Sequence, residues 1–99
     1  MPFSVLMSVY KKEQPAYLDA ALKSVFSQTL PPDEVLLIED GPLTEELERV
    51  IAEYGRQYAA LRTYRFAENV QLGRALAKGV ELCSNELVAR MDTDDIAVS

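Results

Sequence analysis

Two uninterrupted β-favouring runs constrain the fold of this chain more than any other sequence feature. They are Ser4–Tyr10 and Glu34–Asp40. Neither run alternates between apolar and charged residues, which is typical of central parallel strands that are buried on both faces. Between them, Pro15 suits the first turn of a helix, and apolar residues at helical spacing extend that helix to about Gln28. The chain therefore opens with a predicted strand, helix and strand.

The rest of the sequence continues this alternation. Thr44 is a plausible N-cap for a second helix that extends to about Tyr58. Leu61–Phe66 alternates between apolar and polar residues, which predicts a half-exposed third strand near a sheet edge. A third helix is predicted from Leu72 to Cys83, and Leu87–Met91 is predicted to be a short buried fourth strand.

Short loops and right-handed crossovers allow few arrangements of these elements. The predicted fold class is α/β, with a doubly wound, mostly parallel four-stranded sheet in the order 3-2-1-4 and helices on both faces. Ligands bind such sheets at the carboxyl ends of the strands, where the strand order reverses. Here that point lies between the first and fourth strands.

Composition limits the classes of partner. The 99 residues make one domain at most, and their net charge of −6 argues against a nucleic-acid partner. An acidic protein can still bind an anionic ligand when a metal ion supplies positive charge. A single cysteine, Cys83, indicates a reducing compartment and is most simply a small core residue. With no long apolar stretch and no basic leader, the expected location is cytoplasmic, and membrane association of a parent protein is left open.

The sharpest candidate site is an acidic cluster after the fourth strand. Asp92, Asp94 and Asp95 would repel one another unless a cation or several donors neutralise them. Carboxylate oxygens at the carboxyl end of a strand favour a hard divalent metal. Two alternatives are a solvated acidic turn and a phosphatase of the haloacid-dehalogenase type with Asp92 as nucleophile. In the latter group the motif normally opens the domain and continues into Gly-Thr, which ranks that alternative lower.

Two further residues are candidates for ligand binding. Asp40 ends the second strand and could accept a hydrogen bond from a ligand N–H, or simply bond its own turn. Arg74 begins the third helix and could face an anion, or remain solvated. There is neither a dinucleotide-binding fingerprint nor a P-loop, and the absence of histidine from these residues excludes imidazole chemistry within them.

Five motifs together resemble the family 2 glycosyltransferases. They occur in that family's order and spacing from about Ser4 to Asp95, and they are Ser4–Tyr10, Leu22-x-Ser24-Val25-x-x-Gln28-Thr29, Glu39-Asp40-Gly41, Asn69-x-x-Leu72-Gly73-x-Ala75-Leu76-x-x-Gly79 and Met91–Asp95. The resemblance implies a Rossmann-like GT-A fold. It also implies that residues 1–99 are the nucleotide-sugar-binding half of such an enzyme, which takes part in cell-surface polysaccharide biosynthesis.

The resemblance also implies roles for individual residues. Ser8 and Tyr10 would line the base and ribose pocket with Glu13 nearby, and Asp40 would read a uracil-like edge. Arg74 is the further candidate for contact with the nucleotide.

The metal site would be built from the acidic cluster. Asp92 would approach the ribose or the metal, and Asp94 would hold Mn²⁺ or Mg²⁺ with Asp95 beside it. The expected donor is a UDP-sugar. Its sugar would be transferred with inversion to the hydroxyl of an unknown acceptor.

Several positions depart from the family pattern. They are Lys11, Glu39, Pro42, Gln71 and Ala77, which replace a common Asn, Asp, Ser, Gly and Asn respectively. These departures do not affect the acidic cluster, but they leave open which base and which sugar the family resemblance implies.

The family continues beyond the acidic cluster into an acceptor-binding half. The general base is therefore expected after Ser99, so the chain is expected to bind nucleotide without transferring sugar by itself. An open sheet edge beside the fourth strand predicts self-association. The alternative function is a non-catalytic nucleotide-binding or interaction module.

Overall fold

The computed structural model describes residues 3–85 and 88–91. It has four strands and three helices in strict alternation within that range: β1 Ser4–Val9, α1 Pro15–Phe26, β2 Glu34–Glu39, α2 Glu45–Gln57, β3 Leu61–Arg65, α3 Leu72–Leu82 and β4 Val88–Arg90. All strand pairs are parallel, and the sheet order is β3-β2-β1-β4. The predicted fold class and strand order are confirmed.

Local sequence explains where the first two helices begin. Pro15 occupies the first turn of α1, where its missing N–H costs no intrahelical hydrogen bond. The Thr44 side chain accepts a 3.3 Å hydrogen bond from the Leu47 N–H and thereby caps α2. Glu45 and Glu46 follow in the first turn, where their charge is favourable at the positive end of the helix dipole.

Helices cover both faces of the sheet. On one face, alternate residues of β1 and β2 such as Met7 and Leu37 pack in a core cluster with α1 and α2. On the other face, Leu6 and Ile38 pack with α3 residue Ala75. All five of these side chains are buried with no exposed surface. The two central strands are therefore covered on both faces, as their unbroken apolar sequences predict.

Gly79 lets α3 lie close to the sheet. A Cβ atom at this position would lie 2.3 Å from Leu6 Cδ1 and 3.2 Å from Ile38 Cγ1. Such a separation is far below van der Waals contact, so any larger residue would push α3 away from β1. Cys83 follows the helix as a free, partly buried thiol and packs against the same cluster.

The fourth strand is less buried than predicted. Val88 is partly buried, but Ala89 and Arg90 are exposed, so the expectation of a buried strand is wrong. The physical reason is that β4 lies at the end of the sheet and pairs only with β1 among the described residues. Self-association through the edge beside β4 remains a prediction. Across residues 3–85 and 88–91, none of the helices has the length and apolar character needed to span a membrane.

A buried carboxylate joins the amino ends of the strands. Glu34, the first residue of β2, accepts hydrogen bonds from the Ser4 hydroxyl at 2.7 Å and from the Ser84 N–H at 2.8 Å. It also forms an ion pair with Arg62 of β3. Burial raises the pKa of the Glu34 carboxyl, but these hydrogen bonds outweigh burial and lower that pKa to about 2. The ionised carboxylate thus ties the turn before β4 to the start of the sheet.

Candidate functional site

A cavity of about 540 Å³ lies at the carboxyl ends of β1 and β2. Three loop segments line it: Tyr10–Lys12 after β1, Asp40–Pro42 after β2, and Ala67–Asn69 before α3. The Asp40 N–H donates a 2.8 Å hydrogen bond to the Val9 carbonyl, which extends the parallel pairing of the two strands to the cavity rim. The topology thus brings together Tyr10 and Asp40, as the sequence predicts.

The Asp40 carboxylate holds the loop that precedes α3. Its Oδ1 accepts a 2.7 Å hydrogen bond from the Val70 N–H, and its Oδ2 accepts one of 3.2 Å from Asn69 Nδ2. The same Asn69 amide donates to the Asp40 carbonyl at 3.3 Å. Asp40 is only 5% exposed. Both of its carboxylate oxygens are therefore engaged by the protein itself, which the sequence did not reveal.

Two residues in the left-handed region shape this loop. Gly41 has a φ of +93°, and a Cβ atom there would lie 2.8 Å from the Asn69 backbone nitrogen. Gln71 has a φ of 73° and a ψ of 157°, a conformation that is almost restricted to glycine. The resemblance leads us to expect glycine at position 71, and the positive φ of Gln71 gives a physical reason for that expectation.

The other side of the cavity is aromatic and basic. Tyr10 is 44% exposed, which leaves much of its ring available to a ligand. Lys11 and Lys12 are exposed beside it. Within the described residues neither lysine has a carboxylate within 4.0 Å. In a chain of net charge −6, two cations at this rim favour an anionic ligand locally.

Three predicted site residues lie outside the cavity lining. Ser8 is partly buried in β1 and pairs with Ile38. The Glu13 N–H donates a 3.0 Å hydrogen bond to the Tyr10 carbonyl and so closes the turn after β1. Arg74 is exposed in the first turn of α3. Their nucleotide-binding roles remain predictions.

Glu39 is neutralised by a cation on the neighbouring strand. Arg65 donates from Nε at 3.0 Å and from Nη2 at 2.9 Å to the same Glu39 oxygen, and it also pairs with Glu48 of α2. Hydrogen bonds to Glu39 and Glu48 raise the pKa of Arg65. Glu39 is thus a partner of Arg65, and it does not line the cavity.

The predicted metal ligands Asp92, Asp94 and Asp95 lie outside the described residues. In the part of the chain that the structure describes, no group of three acidic, cysteine or histidine side chains could hold a metal ion. The three aspartates offer only oxygen donors, a ligand set that suits Mg²⁺ or Mn²⁺.

Sequence reasoning missed Lys12 and Asn69 as cavity residues. Lys12 follows directly after Tyr10 and Lys11, so its proximity to Tyr10 was the available signal. Asn69 lies 29 residues from Asp40, and only its place in a family motif drew attention to it.

The fold and this rim define an α/β domain with a cavity at the carboxyl ends of two parallel strands, and comparison with known proteins identifies its family. A family model described as "Glycosyl transferase family 2" matches residues 4–98. The chain belongs to glycosyl transferase family 2.

Two bacterial relatives share 44% of their aligned residues with this chain. One is the Escherichia coli UDP-Gal:alpha-D-GlcNAc-diphosphoundecaprenol beta-1,3-galactosyltransferase, aligned over 95% of this chain and 34% of its own length. The other is the amylovoran biosynthesis glycosyltransferase AmsE of Erwinia amylovora, aligned over 97% of this chain and 36% of its own length. The chain thus spans about a third of the length of these relatives.

Solved structures confirm the fold at lower identity. Staphylococcus aureus TarS 1–349 in complex with UDP-GlcNAc matches with a TM-score of 0.81 and 24% identity, over 97% of this chain and 27% of its own. The mannosyltransferase PcManGT from Pyrobaculum calidifontis, in complex with GDP-Man and Mn²⁺, matches with a TM-score of 0.82 and 18% identity. That alignment covers 95% of this chain and 28% of the other.

Proposed function

We propose that this chain is the donor-binding part of an inverting, metal-dependent glycosyltransferase that takes a UDP-sugar. The observation that carries the proposal is the cavity in which Tyr10 and Asp40 meet at the carboxyl rim of the parallel sheet. Family membership supports a sugar-transfer role. The names of the E. coli relative and of the TarS complex support a UDP-sugar donor.

The register of the sheet supports the metal-binding part of this proposal. Arg90 pairs with Leu6, three residues before β1 ends at Val9. A strand rises about 3.3 Å per residue, so β1 runs roughly 10 Å beyond that pair. Asp94 follows Arg90 by four residues and Asp95 by five, so at the same rise an extended chain would be long enough to span this distance.

In this proposal, different residues at the rim bind different parts of the donor. The exposed ring of Tyr10 offers a surface for the base, and Lys11 and Lys12 attract the diphosphate. Asp92, Asp94 and Asp95 would hold Mn²⁺ or Mg²⁺. A divalent ion bound there would supply the charge that neutralises the departing nucleoside diphosphate.

Calorimetry with UDP, in the presence and absence of Mn²⁺, tests this proposal. We expect Mn²⁺-dependent binding that falls by at least about tenfold in Asp94→Ala, since a lost ligand weakens a metal site strongly. Glu81→Ala, an exposed substitution on α3, is the matched control and should bind like the wild type. Equal UDP binding with and without Mn²⁺ would contradict the metal role. A phosphoenzyme formed at Asp92 would favour the phosphatase alternative.

A further inference from the structure

One wall of the cavity is a short segment that we name the latch, residues 67–71. It begins after β3, where the Phe66 N–H donates a 3.0 Å hydrogen bond to the Glu39 carbonyl. It ends where the Gln71 carbonyl accepts a 3.1 Å hydrogen bond from the Ala75 N–H of α3. The first three latch residues line the cavity, so the shape of the cavity depends on the position of the latch.

Asp40 anchors the latch to the end of the sheet. The Val70 N–H donates to Asp40 Oδ1 at 2.7 Å, and Asn69 Nδ2 donates to Asp40 Oδ2 at 3.2 Å and to the Asp40 carbonyl oxygen at 3.3 Å. Across residues 3–85 and 88–91, these three are the only hydrogen bonds made by residues 67–70. The latch can therefore leave the sheet when its bonds to a single residue break.

Little apolar burial opposes such an opening. Val70 is partly buried and packs against the cluster that includes Leu36 and Ile38. The other four latch residues are exposed, and they are Ala67, Glu68, Asn69 and Gln71. Segments with few buried apolar contacts are those that open locally in folded proteins.

The end of the latch is strained in the closed conformation. Gln71 has a φ of 73° and a ψ of 157°, which is unfavourable for any residue other than glycine. Opening of the latch lets Gln71 relax, so the strain favours the open form. The hydrogen bonds to the Asp40 carboxylate are charge-assisted and favour the closed form. These two opposing contributions leave only a small free-energy difference between the closed and open forms.

We propose that the latch opens and closes locally about Asp40, and that a ligand in the cavity selects the closed form. The reason for the selection is that the open latch removes three of the residues that line the cavity. The identity of the ligand, a nucleoside diphosphate, rests on the proposed function, whereas the opening itself does not.

Amide hydrogen exchange of the ligand-free chain, followed by NMR, measures the opening directly. We expect the Val70 N–H to exchange at least about tenfold faster than the amides of β1 and β2, which open only with the whole fold. Gln71→Gly removes the strain of the closed form and should slow Val70 exchange about fivefold. This substitution leaves the intrinsic exchange rate of the Val70 amide unchanged, because that rate depends on Asn69 and Val70. Asp40→Asn removes the charge from the anchor and should speed Val70 exchange about tenfold.

Ser84 provides the matched control. Its N–H donates a 2.8 Å hydrogen bond to the Glu34 carboxylate, which is the same kind of bond at the opposite end of the sheet. Ser84 lies in an exposed turn before β4, so its own opening is local and its exchange should stay unchanged in Gln71→Gly. Equal slowing of Val70 and Ser84 would assign the effect to global unfolding and overturn the latch. Val70 exchange as slow as that of β1 and β2 would also overturn it.

Addition of UDP with Mn²⁺ tests the coupling to the ligand. At a UDP concentration about ten times its Kd, an amide that exchanges only from a form unable to bind UDP should exchange about tenfold more slowly. We expect this slowing at Val70 and no change at Ser84. If calorimetry shows no UDP binding, the proposed function and the ligand-dependent half of this inference both fail, while the ligand-free comparison still decides whether the latch opens. If UDP binds but Val70 exchange stays the same, selection of the closed form is overturned and the proposed function stands.

Discussion

The carboxylate of Glu34 accepts a 2.8 Å hydrogen bond from the backbone N–H of Ser84, which lies fifty residues later in the chain. Ser84 precedes β4, and Glu34 opens β2. Through Ser4 and Arg62 the same carboxylate also reaches β1 and β3. A single ionised group therefore connects three strands and the turn before β4 at the end of the sheet opposite the cavity.

This connection predicts a specific loss of stability in acid. The folded pKa of Glu34 is about 2 and its ordinary value is 4.5. Because the folded pKa is lower than the unfolded one, the ionised Glu34 carboxylate stabilises the fold fully above pH 4.5. This stabilisation is lost as the pH falls through about 2. The shift corresponds to roughly 3 kcal/mol. We expect Glu34→Gln to lower the free energy of unfolding by about that amount at pH 7 and to flatten its dependence on pH between 4.5 and 2.

Urea denaturation across this pH range measures both effects. Glu81→Gln is the matched control, because that carboxylate is 72% exposed and lies 3.8 Å from Lys78. Exposed pairs contribute well under about 1 kcal/mol. An acid dependence that stays unchanged in Glu34→Gln would show that other carboxyl groups govern the acid limb.

Two glycines should respond oppositely to alanine. Gly79→Ala places a methyl group within 2.3 Å of Leu6 Cδ1, and Leu6 is fully buried. Overpacking of this kind costs about 1–3 kcal/mol, which exceeds the gain in helix propensity. Gly55→Ala meets nothing within 4 Å in α2 and should stabilise by about 0.5–1 kcal/mol. Thermal melts of both variants measure the difference, and a stabilised Gly79→Ala would contradict the close contact of α3 with β1.

The backbone at Gln71 predicts a stabilising glycine. Its conformation, with a φ of 73°, costs a non-glycine residue about 1–3 kcal/mol. Glycine removes this strain but gives the unfolded chain more freedom, so Gln71→Gly should stabilise by about 1 kcal/mol. Ala77→Gly is the control, because Ala77 is an exposed residue of α3, and it should destabilise the protein by about 1 kcal/mol. Chemical denaturation of both would test this, and equal destabilisation would argue against a strained Gln71.

The fold could be predicted from the sequence because its central elements are locally consistent. Every residue of β1 and β2 except the partly buried Ser8 is buried, and Pro15 and Thr44 mark helix starts that the structure confirms. The burial of β4 could not be predicted from its own sequence. Apolar residues favour a strand, but exposure at the end of a sheet depends on which segments pair beyond it.

The site was predictable to the extent that topology alone determines it. Parallel strands ending at one rim bring Tyr10 and Asp40 together, and both line the cavity. The bonds from Asp40 to Asn69 and Val70 depend on the shape of a loop thirty residues away. That shape includes a positive φ at Gln71, which is contrary to the local preference of glutamine.

Tyr54 predicts a second limit to stability, at alkaline pH. It stacks with Phe26 and Tyr58, and its hydroxyl donates a 3.0 Å hydrogen bond to the Asp19 carbonyl. Burial and the contact with Asp19 raise the pKa of Tyr54 from 10.0 to about 12. The folded protein therefore favours the neutral phenol of Tyr54. Its contribution to the free energy of unfolding is complete below pH 10 and is lost as the pH rises through about 12.

Tyr54→Phe should lower the free energy of unfolding by about 1 kcal/mol at pH 7 and remove this alkaline decline. Guanidinium titrations between pH 8 and 12 measure it, and a decline that persists in Tyr54→Phe would assign the effect to other groups.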